Sequence, residues 1–184
     1  MAEKIRTFIS IELPDEIIQE ATRLQSLIKN KKFDGKLTEP ENLHLTLKFL
    51  GELSIEQIQK VKSKLEKIIF PEFQATLAET GTFSYHSNPR IIWIKVTGKQ
   101  IFQLQEEIDQ VLVEFFPKEN RFMSHLTIAR IKYVKDKQDF IESIKKLPIK
   151  KLKFQIKEFE LKSSELKPMG PVYKTLGTYK LVSV

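Results

Sequence analysis

Alternation and helical spacing divide the chain into two runs of elements in the same order. Residues 5–12 (IRTFISIE) alternate as a β-strand does, with Ile5, Thr7, Ile9 and Ile11 on one face and Arg6, Phe8 and Ser10 on the other. From Asp15 to about residue 30 the apolar positions Ile17, Ile18, Ala21, Leu24, Leu27 and Ile28 fall at three-to-four spacing, which predicts a helix. A polar, glycine-containing loop (NKKFDGKLTEPEN) leads to LHLTLKFL, a strongly alternating strand closed by Gly51. Ser54 caps a second amphipathic helix running to about residue 69, Pro71 stops it, and residues 72–83 read as extended.

After the turn-like YHSNPR the order repeats. RIIWIKVTG reads as a strand, KQIFQLQEEIDQVLVEFF as a helix, RFMSHLTIARI as a strand and KDKQDFIESIKKL as a helix, with extended segments at about 151–163 and 172–183. Each half is thus strand, helix, strand carrying His-Leu-Thr, helix, strand. From Phe8 to His44 is 36 residues and from Ile92 to His125 is 33, so the copies keep similar spacing. No crossover signals a purely parallel sheet. The pattern predicts an α+β fold of two pseudo-two-fold halves, roughly 1–83 and 90–184, with antiparallel sheets lining a central cleft and helices outside. The boundary falls near residues 84–89, and a last strand crossing back would make the 184 residues one domain.

Composition narrows the setting. Hydrophobic residues at 41% and charged residues at 30% fit a soluble globular chain, and 13 Phe supply a core without staples. Cysteine is absent, so no disulfide exists, and three His require carboxylates to complete any metal site. The expectation is therefore no metal and no cofactor, in a reducing cytoplasm. The opening MAEKIRTFISIELPDEI is broken by Glu12, Pro14 and Asp15 and fits neither a signal peptide nor a membrane span. A net charge of +7 favours an anionic partner, although the excess is diffuse. Lys150, Lys151, Lys153 and Lys157 form either an RNA-contacting stripe or a solvated strand edge.

The chemistry lies in the tripeptide that occurs twice, His44-Leu45-Thr46 and His125-Leu126-Thr127. Residues i and i+2 of a strand share a face, so each copy presents an imidazole beside a hydroxyl while its leucine enters the core. Two such strands facing one cleft give two imidazoles flanking a central space. Hydrolysis of a cyclic phosphodiester calls for that arrangement: a base for the attacking water on one side of phosphorus, an acid for the departing oxygen on the other. Histidine serves both roles near neutral pH. The Thr hydroxyls can hydrogen-bond the non-bridging oxygens. A single His-Leu-Thr in a strand is usually structural, but two of three histidines in matching tripeptides make coincidence a poor account. His86 lacks that context and reads as a surface-loop residue. Lys48 shares the parity of His44 and Thr46 and is expected to end in solvent. Strict alternation points Arg130 away from Thr127 unless a bulge intervenes.

Five segments together, RTFISIELPDEI, PENLHLTLKFLGEL, NPRIIWIKV, FMSHLTIARI and FELKSSELKPMGPVYKTL, resemble the 2H phosphoesterase superfamily. They are most similar to its RNA 2',3'-cyclic phosphodiesterase group, the LigT-type or 2'-5' RNA ligase-like proteins. The resemblance runs nearly end to end. It implies a bilobal fold with both His-x-Thr motifs on the cleft walls, and hydrolysis of RNA 2',3'-cyclic ends to 2'-phosphomonoesters. It also implies His44 as proton donor to the leaving oxygen, His125 as base, Thr46 and Thr127 at the phosphate, and a phosphate contact from Arg130. Relatives often carry Pro where Ser124 stands here, so a local backbone difference with retained chemistry is expected. The same residues would also serve 2'-5' RNA ligation or hydrolysis of 2',5'-linked oligonucleotides and other cyclic phosphodiesters. A non-catalytic RNA-binding module of this fold is the alternative from a different class. The expected partner is an RNA end, bound by a monomer with no obligate protein partner and no membrane.

Overall fold

Each helix forms along an apolar stripe that the core buries. The computed structural model describes residues 4–168 and 170–183. Helix α1 (Asp15–Lys29) carries Asp15 and Glu16 in its first turn and Lys29 in its last, matching the helix dipole, and buries Ile17, Ala21, Leu24 and Ile28. Helix α2 (Ile55–Leu65) opens on a capping box: the Ser54 hydroxyl accepts from the Gln57 N–H while the Gln57 side chain accepts from the Ser54 N–H. Helices α3 (Lys99–Val111) and α4 (Lys137–Lys145) complete the set. Both α2 and α3 stop short of their predicted ends at 69 and 116. The N–H groups of Lys67 and Ile68, like those of Val113 and Phe115, reach back only three residues, tightening the chain out of α geometry.

The strands are β1 (Ile5–Glu12), β2 (Phe33–Leu37), β3 (His44–Leu53), β4 (Phe73–Tyr85), β5 (Asn88–Thr97), β6 (His125–Val134), β7 (Lys153–Ile156), β8 (Glu158–Lys167) and β9 (Gly170–Lys180). They form one sheet in the order β7-β4-β5-β6-β3-β1-β8-β9, with β2 also along β6. The two expected antiparallel sheets are therefore joined edge to edge, through the single pair Leu45 and Leu126. Strand β2 lies in the segment read as a polar loop. Its KFDGKL has no alternation, and its partner, the far end of β6, lies nearly a hundred residues on. A Cβ on Gly35 would sit 2.3 Å from the Arg130 carbonyl oxygen, so only glycine permits this pairing.

Sequence halves and sheet halves differ. Strand β4 closes the first sequence half yet pairs with β5, and β8 belongs to the second yet pairs with β1. Each half thus gives a long strand to the other, and β9 extends β8. One hydrophobic cluster takes in Ile9, Ile11, Leu45 and Leu47 with Ile92, Ile94, Leu126 and Ile128, together with the inner faces of the helices. Fully burying one such side chain contributes about 1.5–3 kcal/mol, so neither half would keep its core alone. Lys150, Lys151, Lys153 and Lys157 are exposed at the β7 end of the sheet, which fits a charged edge better than a contact surface near the cleft. His86 is exposed, with a φ of 46°, in the turn between β4 and β5. Among the described residues no helix is long and apolar enough to cross a membrane.

Candidate active site

The Leu45–Leu126 pair sets the geometry of the site. Both leucines are fully buried, so their neighbours His44, Thr46, His125 and Thr127 project from the opposite face, where all four are half-buried. Continuing the antiparallel register by one residue each way sets His44 across from Thr127 and Thr46 across from His125. The two tripeptides therefore lie side by side about a local two-fold axis. The likeness extends along the strands: β3 and β6 share one burial pattern over all ten positions.

Each strand also carries a bulge at the same place. The register of β1 on β3 passes from Ser10–Thr46 to Ile9–Lys48, leaving Leu47 unpaired; that of β5 on β6 passes from Trp93–Thr127 to Ile92–Ala129, leaving Ile128 unpaired. The extra residue reverses the parity beyond it. Lys48 consequently turns into the interior, only 6% exposed, and forms an ion pair with Asp109, contrary to its expected solvent end. Its counterpart Ala129 is buried likewise. The residues after them, Phe49 and Arg130, come out onto the histidine face, and the Arg130 charge acts on both His44 and Tyr173. Phe49 is 75% exposed, so the symmetric positions hold a cation on one side and an open aromatic ring on the other.

Both rings are oriented in the same way. His44 Nδ1 lies 2.8 Å from the Asn42 carbonyl oxygen and His125 Nδ1 lies 2.7 Å from that of Met123, in each case two residues upstream. A carbonyl oxygen only accepts, so Nδ1 carries the hydrogen and Nε2 is the atom available for proton exchange. His44 Nε2 meets the Thr46 hydroxyl at 2.9 Å. The walls then differ. His44 lies against Phe8 at 5.0 Å and edge-on to Tyr173 at 5.3 Å, whereas His125 stands perpendicular to Phe83 at 4.9 Å.

These surroundings disfavour the imidazolium form. His44 is pushed down to about 4, first by burial and then by the charges of Lys162, Arg130 and His125, against the raising effect of the Asn42 carbonyl. Burial also lowers His125, opposed by the Met123 carbonyl. Lys162 reaches the site from β8, where it pairs with Glu12 and Glu160. At neutral pH both rings are therefore neutral, with the charges of Lys162 and Arg130 acting on His44. Ser124 is buried and among the described residues its hydroxyl has no partner, while its carbonyl accepts from the Val96 N–H at 3.1 Å.

Sequence reasoning named His44, Thr46, His125, Thr127 and Arg130, and the structure gathers all five on one face. It passed over Phe8, Tyr173, Phe83 and Lys162. Phe8 had a local signal, an aromatic residue on the polar side of its strand; the others arrive by tertiary pairing.

The comparisons agree with this architecture. A model of the LigT like Phosphoesterase family matches the chain twice, over residues 11–93 and 94–173. The chain is 34% identical to an RNA 2',3'-cyclic phosphodiesterase of Methanocaldococcus jannaschii, over 94% of this chain and 98% of that protein. It is equally 34% identical to one of Thermotoga maritima, over 94% and 93%. The crystal structure of TT0787 from Thermus thermophilus superposes with a TM-score of 0.82 at 26% identity, covering 96% of this chain and 97% of that one. With both halves matched and two relatives aligned nearly end to end, this chain belongs to the LigT-like phosphoesterase family.

Proposed function

We propose that the protein hydrolyses 2',3'-cyclic phosphodiester ends of RNA to 2'-phosphomonoesters, by acid–base catalysis between His44 and His125 without a metal. The observation that carries this reading is the pair of His-x-Thr motifs set side by side by Leu45 and Leu126, each ring offering Nε2 to one cleft. The curated relatives bear the same activity in their names. Among the described residues no three His, Cys, Asp or Glu side chains cluster so as to hold a metal ion.

In this mechanism His125 Nε2 takes a proton from water as the water attacks phosphorus. His44 Nε2–H gives its proton to the departing 3' oxygen, leaving the phosphate on the 2' oxygen. Thr46 and Thr127 hydrogen-bond the non-bridging oxygens and Arg130 balances their charge. The neutral His44 must acquire a proton first. The substrate anion supplies the means, since a negative charge beside the ring raises a pKa that burial, and after it the neighbouring cations, hold down. Phe49, opposite Arg130 by symmetry, is the surface on which a terminal base stacks, so an RNA end lies across the two-fold axis in one direction.

Incubation with a 2',3'-cyclic mononucleotide in excess chelator tests the reading. Turnover to the 2'-phosphate is expected; no turnover, or the 3'-phosphate as product, contradicts it. The pH dependence follows from the lowered rings. A cyclic diester keeps a single negative charge throughout the range, so the protein alone sets the profile. With both pKa values below 6.5, the share of free protein holding one protonated ring falls as pH rises. Thus kcat/KM is expected to peak on the acidic side of 6.5 and to fall about tenfold per pH unit above it. A maximum at alkaline pH would remove the imidazolium donor from the mechanism.

A further inference from the structure

Outside the cleft, the two halves carry buried polar ties at equivalent places. The buried residues of α1 and α3 coincide position for position: Ile17, Glu20, Ala21, Leu24 and Gln25 in the first correspond to Ile101, Leu104, Gln105, Ile108 and Asp109 in the second, and Ile28 corresponds to Leu112 just past the end of α3. Gln25 and Asp109 therefore occupy the same site, 4% and 3% exposed. Gln25 Nε2 donates to the carbonyl oxygens of Thr38 at 2.7 Å and Ile128 at 2.8 Å. The Asp109 carboxylate accepts from the Glu119 N–H at 2.7 Å, from Gln105 Nε2 at 2.9 Å and from the Lys48 ammonium, which also donates to the Pro117 carbonyl at 2.8 Å.

What these bonds connect is the same in both halves. Thr38 and Glu119 stand equally far ahead of His44 and His125 in the chain, in the segments that deliver each histidine to its strand. Those segments contain Asn42 and Met123, whose carbonyls orient the rings. At its other end each tie grips the strand bearing the opposite histidine: Ile128 on β6, which is the bulge residue, and Lys48 on β3, which follows the bulge residue Leu47. Each half thus holds its own histidine segment and the other half's histidine strand through one buried side chain.

We propose that Gln25 and the Lys48–Asp109 pair are positioning residues, reciprocal ties across the pseudo-two-fold axis that fix the separation and ring orientation of His44 and His125. The inference rests on the acid–base reading above. Neither tie reaches the cleft, because the bulge turns Lys48 inward and Ile128 is buried like Leu126, so their effect passes through backbone geometry. Reacting groups tolerate little displacement: an error near 1 Å costs about 10²-fold in rate.

The variant Lys48→Met/Asp109→Leu removes one tie without leaving a buried charge, a replacement that often preserves stability. Per folded molecule, kcat on a 2',3'-cyclic mononucleotide is expected to fall on the order of 10–10²-fold while KM stays within about threefold. The imidazole NMR signals of the free protein are expected to shift with it. Gln25→Met, which keeps the side-chain volume, should have the same effect through the other tie and decides the matter if the double variant does not fold. Wild-type kcat per folded molecule in a folded variant overturns the inference, whatever the change in thermal stability, since a merely structural role lowers only the folded fraction. The activity of His44→Ala separates the two readings. If it is retained, the acid–base mechanism fails; if it is lost while the tie variants keep wild-type kcat, only the positioning role fails.

Discussion

His44→Ala and His125→Ala are each expected to lower kcat on a 2',3'-cyclic nucleotide by a factor on the order of 10²–10⁴, with the fold retained. The reason is positional. Each ring is half-buried, held at Nδ1 by a backbone carbonyl and aimed by Nε2 at the shared face. Truncation removes a proton carrier and leaves the leucine anchors Leu45 and Leu126 untouched. Because acid and base act in one transition state, the double variant should lose much less than the product of the single losses. Steady-state kinetics with circular dichroism as the check on folding decides this. Activity retained in both single variants would remove the histidines from the mechanism.

The largest expected loss of stability comes from Asp109→Ala. Lys48 and Asp109 are nearly inaccessible to water, and the carboxylate also serves Gln105 and the Glu119 N–H. Burial raises the Asp109 carboxyl, yet the bonds from Lys48, Glu119 and Gln105 together hold it below the usual carboxylate range. Removing it strands an ammonium in the core, which costs about 3–5 kcal/mol. At this chain length the midpoint of thermal unfolding is expected to fall by roughly 6–20 °C. The paired replacement Lys48→Met/Asp109→Leu should recover most of that loss, because no lone charge remains. A midpoint within about 2 °C of wild type in Asp109→Ala would show that Lys48 finds water or another partner instead.

Much of the site was legible in the chain because local rules govern it. Alternation in LHLTLKFL and RFMSHLTIARI set the parity of His44, Thr46, His125 and Thr127, and burial of the intervening leucines enforces it. The bulges were not legible. Leu47 and Ile128 are ordinary strand residues, and what makes each one extra is the register of β1 and β5, a tertiary property. That one feature moved Lys48 from expected solvent to the core and brought Arg130 to the cleft. Strand β2 escaped notice for a similar reason, since its stability comes from an edge of β6 that only the assembled sheet supplies. The exchange of β4 and β8 between halves also follows from pairing, although the repeated order of elements had already indicated two copies.

Two proton carriers serving a single phosphorus must both sense the same bound anion. NMR titration of the three histidine rings with a 2'-nucleotide, the expected product, therefore tests the central claim most directly. The expected result is that the signals of His44 and His125 move along one saturation curve while those of His86 stay still, and that the bound anion raises the His44 pKa from about 4. Movement of one ring alone, or separate curves for the two, would contradict a shared site.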